Sequence, residues 1–302
     1  MPGRLSPTAD RVVAARAARA DGGGAWLRDL PHRVDDLVHP WRLRLGEPLA
    51  GGTAAVVHAV TRDDGTPAVL KLPVPDPGNA LSTRTLLAAD GDGLVRVLAH
   101  DGDDLLLERL GPSLTTTGRT PQAQLAVLAQ LLPRVWRLPP DGATVDKAAE
   151  LTTFLLDLVG AGPVDYVTAM ALQFAARRSR AFAPERSRTL HGDAAAANVL
   201  LAPARPAGAA FVDPDGLVGD AAYDVGVALR DWSAELLADA RPAGLLRGWC
   251  AEAAARTGTD PQAVWEWAFL ERVSTGTYAR TLGAEDLADA LLESARRLLP
   301  EI

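Results

Sequence analysis

The chain is short of the residues that hold many secreted proteins together. Cys250 is its only cysteine, which excludes an intrachain disulfide and a thiolate metal cluster. No apolar run approaches the roughly 18 residues needed to span a bilayer. The arginine- and alanine-rich stretch Met1–Arg19 lacks the apolar core of a signal peptide. These absences predict a soluble cytoplasmic protein without a membrane partner. Positive charge is also in deficit: 31 Lys and Arg against 38 Asp and Glu give a net charge of −7. That balance disfavours a protein that coats nucleic-acid phosphates. Lysine itself is rarer still, occurring only at Lys71 and Lys147. No G-x-x-x-x-G-K-[ST] segment occurs, so a P-loop nucleotide fold is disfavoured as well.

What is present suits a globular protein. The 302 residues are 48% hydrophobic and 23% charged, enough to bury a core in one large domain or two lobes. Residues 1–40 predict a peripheral helical extension, with apolar residues at helical spacing over Val12–Ala20 and Ala25–Val38. Trp41–Leu45, Ala54–Val60 and Ala68–Leu72 predict strands, the last two joined as a hairpin through Asp63-Asp64-Gly65-Thr66. A helix over Ala80–Ala89 and strands over Leu94–Leu98 and Leu105–Leu107 follow. After Gly111 helical spacing dominates. Thr120-Pro121 reads as a cap and first helical residue for a helix reaching Leu138. Further helices are expected over Ala143–Val159, Val164–Phe182, Ala234–Arg256, Pro261–Thr281 and Ala284–Leu299, with strand character only at Asn198–Leu201 and Ala209–Val212. The expected class is α+β with two lobes. Residues 1–108 carry the helical extension and a small antiparallel sheet with one helix; residues 109–302 form a larger, mainly helical lobe.

The most informative segment is His191-Gly192-Asp193-Ala194-Ala195-Ala196-Ala197-Asn198, followed by Phe211-Val212-Asp213-Pro214. An acid, then an amide, then a second acid behind an apolar strand is the pattern of a phosphoryl-transfer site. Asp193 is the candidate base for the attacking hydroxyl, while Asn198 and Asp213 supply hard oxygen ligands for Mg²⁺ against the phosphates of ATP. Lys71, on the third expected strand, stands where a kinase-like small lobe places a phosphate-pairing lysine. The loop containing Gly51, Gly52 and Thr53 is a candidate phosphate cover. The strand end at Glu108 and Leu110 is a candidate adenine-binding hinge. Asp220 and Asp224 read as structural, with Asp224 a helix cap or an anchor for the catalytic loop. Glu266 and Glu271, beside Trp265 and Trp267, are candidates for holding a cationic or sugar-like acceptor; a packed face backed by a solvated one is the commoner explanation of such residues.

At these residues the chain resembles the aminoglycoside phosphotransferase family, and within it the aminoglycoside/hydroxyurea kinase group. The resemblance rests on Leu70-Lys71-Leu72, Gly93–Leu98, Leu105–Leu110, His191–Leu200, Asp213–Asp224 and Glu271–Gly276. It implies a protein-kinase-like fold and transfer of the γ-phosphoryl of ATP to a hydroxyl of a small polar acceptor, first an aminoglycoside of the streptomycin type. A sugar or amino-sugar kinase and a nucleotide-binding pseudokinase are the alternatives. Two positions depart from the family pattern. Ala195, Ala196 and Ala197 replace its usual His-Pro-Gly, and the expected helix Ala80–Ala89 carries no glutamate to pair with Lys71. Asp90 is the nearest acid, and Asp213 is the other group able to orient that lysine.

Overall fold

Apolar residues alternating with half-exposed ones build a five-stranded antiparallel sheet near the N-terminus. The computed structural model describes residues 7–49, 53–160 and 162–299. The chain forms two compact units, Met1–Gly111 and Pro112–Ile302.

The first unit contains α1 (Pro7–Ala17), α2 (Gly23–Val38), β1 (Leu43–Pro48), β2 (Ala55–Arg62), β3 (Pro67–Pro73), α3 (Asn79–Ala89), β4 (Val97–Asp101) and β5 (Asp104–Glu108). The strands are ordered β1-β2-β3-β5-β4. Asp64 Oδ1 accepts from both the amide and the hydroxyl of Thr66, which shapes the β2–β3 turn. One sheet face presents Val56, Val60, Ala68, Leu70 and Leu72 to Trp26, Leu30 and Leu37 of α2. The period of two then puts Lys71 on the opposite face, aligned with Val57 of β2 and Leu105 of β5. Leu70 and Leu72 are fully buried, and each contributes about 2 kcal/mol of burial free energy. The fourth strand starts at Val97, not at Leu94; Leu94 and Val95 are buried in the approach to it.

The second unit contains α4 (Pro121–Val135), α5 (Lys147–Val159), α6 (Tyr166–Ala181), four short strands and five more helices. The strands are β6 (Arg188–Thr189), β7 (Val199–Leu201), β8 (Ala209–Phe211) and β9 (Val218–Gly219). The helices are α7 (Ala221–Arg230), α8 (Ser233–Ala238), α9 (Pro242–Thr257), α10 (Pro261–Thr281) and α11 (Glu285–Arg297). Side chains of Thr120, Asp146, Asp165, Asp220 and Asp260 cap α4, α5, α6, α7 and α10 by accepting from first-turn amides. The buried helix α10 is the centre of this unit. Gly226 lets α7 lie against it, since a Cβ there would overlap Trp267. Arg272, fully buried on α10, donates to the carbonyls of Ala268 and Leu229 and ties α10 to the end of α7. Burial lowers its pKa to about 10.

Three helical expectations change here. The segment 143–146 is extended, with Val145 N donating to Val218 O at 2.7 Å, so α5 begins only after Asp146. The helix expected over Ala234–Arg256 is two helices. Pro242 lacks an N–H and disfavours helical backbone at Arg241, and so opens α9 after a break. Helix α7 was not expected; its cap is Asp220, and Asp224 lies in its first turn. No helix among the described residues is long and apolar enough to cross a membrane.

Candidate active site

The segment between β6 and β7 is held by a carboxylate beneath it. Asp224 is fully buried and accepts three N–H bonds: from His191 N (2.8 Å), Gly192 N (2.9 Å) and Trp136 Nε1 (2.9 Å). Burial pushes its carboxyl above the usual range, and these donors pull the other way. Of the two roles expected for Asp224, the anchor is the one observed. Gly192 takes φ +88°, where a Cβ would come within 2.5 Å of Asp215 Oδ2. His191 uses both ring nitrogens: Nε2 donates to Val212 O (2.9 Å) and Nδ1 accepts from Asp193 N (3.2 Å). Those two bonds select the Nε2–H tautomer. His191 thus joins the loop to the chain just beyond β8, where Val212 N also donates to Asn198 O at 2.8 Å.

These bonds hold Asp193 and Asn198 on one loop and tie Val212, the neighbour of Asp213, to Asn198. The Asn198 side-chain amide donates to Asp193 O and to Asp193 Oδ2, both at 2.9 Å. With Nδ2 committed to two acceptors, Oδ1 is the atom Asn198 can offer a cation. Asp213 lies two residues beyond the end of β8 and holds φ 57°, although a residue before proline prefers extended backbone. Such a conformation costs on the order of 1–3 kcal/mol and persists where surrounding structure fixes it. Among the described residues no three His, Cys, Asp or Glu side chains converge as a metal cage. One carboxylate and one amide oxygen nevertheless fit Mg²⁺, which keeps waters and phosphate oxygens in its remaining positions. The alanines do not disorder the loop. Ala195 and Ala196 are buried, a 3₁₀ turn spans Ala196–Asn198, and the Ser113 hydroxyl donates to Ala197 O at 3.1 Å.

Sequence reasoning missed Arg230. Its Nη2 donates to Asp193 Oδ1 (3.2 Å), Nη1 to Glu271 Oε2 (3.1 Å) and Nε to Asp231 Oδ1 (3.1 Å). Burial opposes the charge, but the carboxylates of Asp231, Glu271 and Asp193 outweigh it and raise the arginine pKa. Glu271 is buried and also accepts from Thr275 and from the Tyr223 hydroxyl, whose pKa rises through burial and the adjacent carboxylate. Arg230 is one of 29 arginines, and nothing in its local sequence sets it apart.

The remaining candidates divide. Glu271 reaches the Asp193 cluster through Arg230. Glu266 does not, because it is buried against Arg177 (3.3 Å) and Arg178 (2.6 Å) of α6 and accepts from Gln262. Trp267 is core, with its Nε1 donating to Asp220 at 2.9 Å. In the first unit Lys71 is half-buried on β3 and Thr53 is exposed, while Gly51 and Gly52 lie outside the described residues. Glu108 closes β5. Its N–H donates to Arg96 O (3.0 Å) and its Oε1 accepts from Arg96 N (2.7 Å), so a nucleotide-facing role for its backbone can use only the carbonyl. Leu110 lies two residues beyond β5, outside any helix or strand. Asp90 is exposed and faces Arg96 at 3.6 Å.

Comparison with known proteins places this geometry in context. The family described as aminoglycoside/hydroxyurea antibiotic resistance kinase matches residues 41–283. Streptomycin 6-kinase of Streptomyces glaucescens is 34% identical over 232 residues, covering 72% of this chain and 73% of that protein. Hydroxyurea phosphotransferase of Kitasatospora aureofaciens is 34% identical over 211 residues, covering 67% and 62%. Among solved structures, aminoglycoside phosphotransferase APH(4)-Ia superposes with a TM-score of 0.60 at 15% identity, covering 87% of this chain and 96% of that one. That likeness shows a shared kinase-like fold.

Proposed function

This chain belongs to the aminoglycoside/hydroxyurea antibiotic resistance kinase family, and on that footing we propose that it transfers the γ-phosphoryl of ATP to a hydroxyl of a streptomycin-type aminoglycoside. The observation that carries the reading is the Asp193–Asn198 pairing, which presents one carboxylate to an acceptor and one amide oxygen to a cation. Asp193 orients the acceptor hydroxyl and takes its proton as the new O–P bond forms and the bond to ADP breaks. Phosphoryl transfer asks for little covalent help, so position and charge do most of the catalysis. Asn198 Oδ1 and the Asp213 carboxylate hold Mg²⁺, which supplies positive charge against the nucleotide phosphates. Lys71 pairs with those phosphates, Gly51, Gly52 and Thr53 cover them, and the Glu108 carbonyl with the Leu110 backbone binds adenine. The lobe boundary expected at 108/109 lies three residues before the division between the two compact units at Gly111/Pro112.

A second acceptor class has its own support, since the hydroxyurea phosphotransferase is also 34% identical to this chain, over 211 residues against 232 for the streptomycin kinase. The test is ADP release by the purified protein with ATP and Mg²⁺ against streptomycin, hydroxyurea, amino sugars and neutral sugars, with the product identified by mass spectrometry. Turnover with streptomycin supports the reading. Turnover confined to hydroxyurea or to sugars replaces the acceptor and keeps the chemistry.

A further inference from the structure

We infer that Arg230 is a positioning residue for Asp193, locked in place by Glu271; this inference rests on the phosphotransferase reading. Each guanidinium nitrogen of Arg230 has its own carboxylate: Nε has Asp231, Nη1 has Glu271 and Nη2 has Asp193. A planar fork with three occupied directions has one orientation, which a lysine ammonium on a flexible stem does not reproduce. The far end of the chain of contacts is rigid. The Glu271 side chain is 5% exposed, sits in the middle of α10 and is fixed by Thr275 and the Tyr223 hydroxyl. The near end is open: the Asp193 side chain is 47% exposed. An ion pair with a partner that open contributes little stability. What it does supply is direction. Asn198 already fixes Asp193 Oδ2 at 2.9 Å, and Arg230 Nη2 fixes Oδ1 at 3.2 Å. Donors on both oxygens set the plane of the carboxylate, and therefore the line along which it meets an acceptor hydroxyl. Glu271 does not touch that carboxylate and acts only through Arg230.

The experiment compares Arg230→Met, Arg230→Lys, Glu271→Gln and the double variant Arg230→Met/Glu271→Gln with wild type. It measures kcat, KM for ATP and for the acceptor, ADP affinity and thermal midpoint. Arg230→Met is expected to lower kcat by roughly 10- to 100-fold, the scale of a misplaced reacting group. KM for ATP and ADP affinity should stay within about twofold of wild type. Arg230→Lys should recover part of the lost kcat, and Glu271→Gln should lose less. The double variant should be no slower than Arg230→Met, since a residue acting through another adds nothing once that other is gone. If Arg230→Met does not fold, Arg230→Lys against Glu271→Gln carries the comparison. Turnover of Arg230→Met (or of both milder variants) within about twofold of wild type overturns the inference, as do losses that multiply in the double variant. A wild type that phosphorylates no acceptor removes the underlying reading, and this shows before any variant is made.

Discussion

Asn198 grips Asp193 twice through one amide nitrogen, at the backbone carbonyl and at Oδ2, each at 2.9 Å. The four-residue spacing between them is what permits this, because the 3₁₀ turn Ala196–Asn198 folds the side chain back over the loop. Asn198→Asp removes the donor and sets a carboxylate against a carboxylate. It is expected to lower kcat by about 10²-fold or more through displacement of the base, read by steady-state kinetics at saturating ATP. A variant as fast as wild type would show that the pairing does not matter to turnover.

Gly192 has no room for a side chain. With φ +88° and Asp215 Cβ and Oδ2 within 2.6 Å of a built Cβ, Gly192→Ala must distort the loop that carries Asp193. The expected cost is roughly 1–3 kcal/mol, seen as a lowered thermal midpoint of about 2–4 °C per kcal/mol. Turnover should fall more than ADP affinity. An unchanged midpoint would mean that the loop yields without cost.

His58 makes the first unit acid-sensitive. It is 3% exposed on β2, its Nδ1 lacks a hydrogen-bond partner, and burial lowers its pKa from 6.5 while a bond to the Gly46 backbone raises it. Below that unfolded value the denatured chain binds more protons than the folded one, so stability falls as pH drops through 6.5 toward the lower folded pKa. Urea midpoints on either side of that value should show the loss in wild type and a shallower loss in His58→Leu. Identical pH slopes in the two proteins would assign the acid sensitivity elsewhere.

Local chemistry was legible from sequence and tertiary pairing was not. Asp193, Asn198 and Asp213 could be read because one loop and one short hairpin carry all three, with no distant element needed to define the spacing. The same holds for Lys71, whose face of the sheet follows from alternation alone. Glu266 and Glu271 looked equivalent on one helix, but five residues turn a helix by roughly 140° from its starting face. One therefore meets Arg177 and Arg178 and the other meets Arg230. Arg230 itself depends on α7, a segment rich in alanine, glycine and valine that gave no clear helical period. Its closeness to Glu271 comes from the packing of α7 against α10, which Gly226 permits.

The most direct measurement is acceptor-dependent ADP release by wild type and Asp193→Asn, with ATP affinity measured in parallel. Wild type should turn over ATP in the presence of a streptomycin-type aminoglycoside. Asp193→Asn should be slower by about 10²- to 10⁴-fold, the range for loss of a general base, while binding ATP about as well. An Asp193→Asn variant that keeps its rate, or a wild type that binds ATP and transfers phosphoryl to no acceptor, would contradict the assignment of this site to phosphoryl transfer.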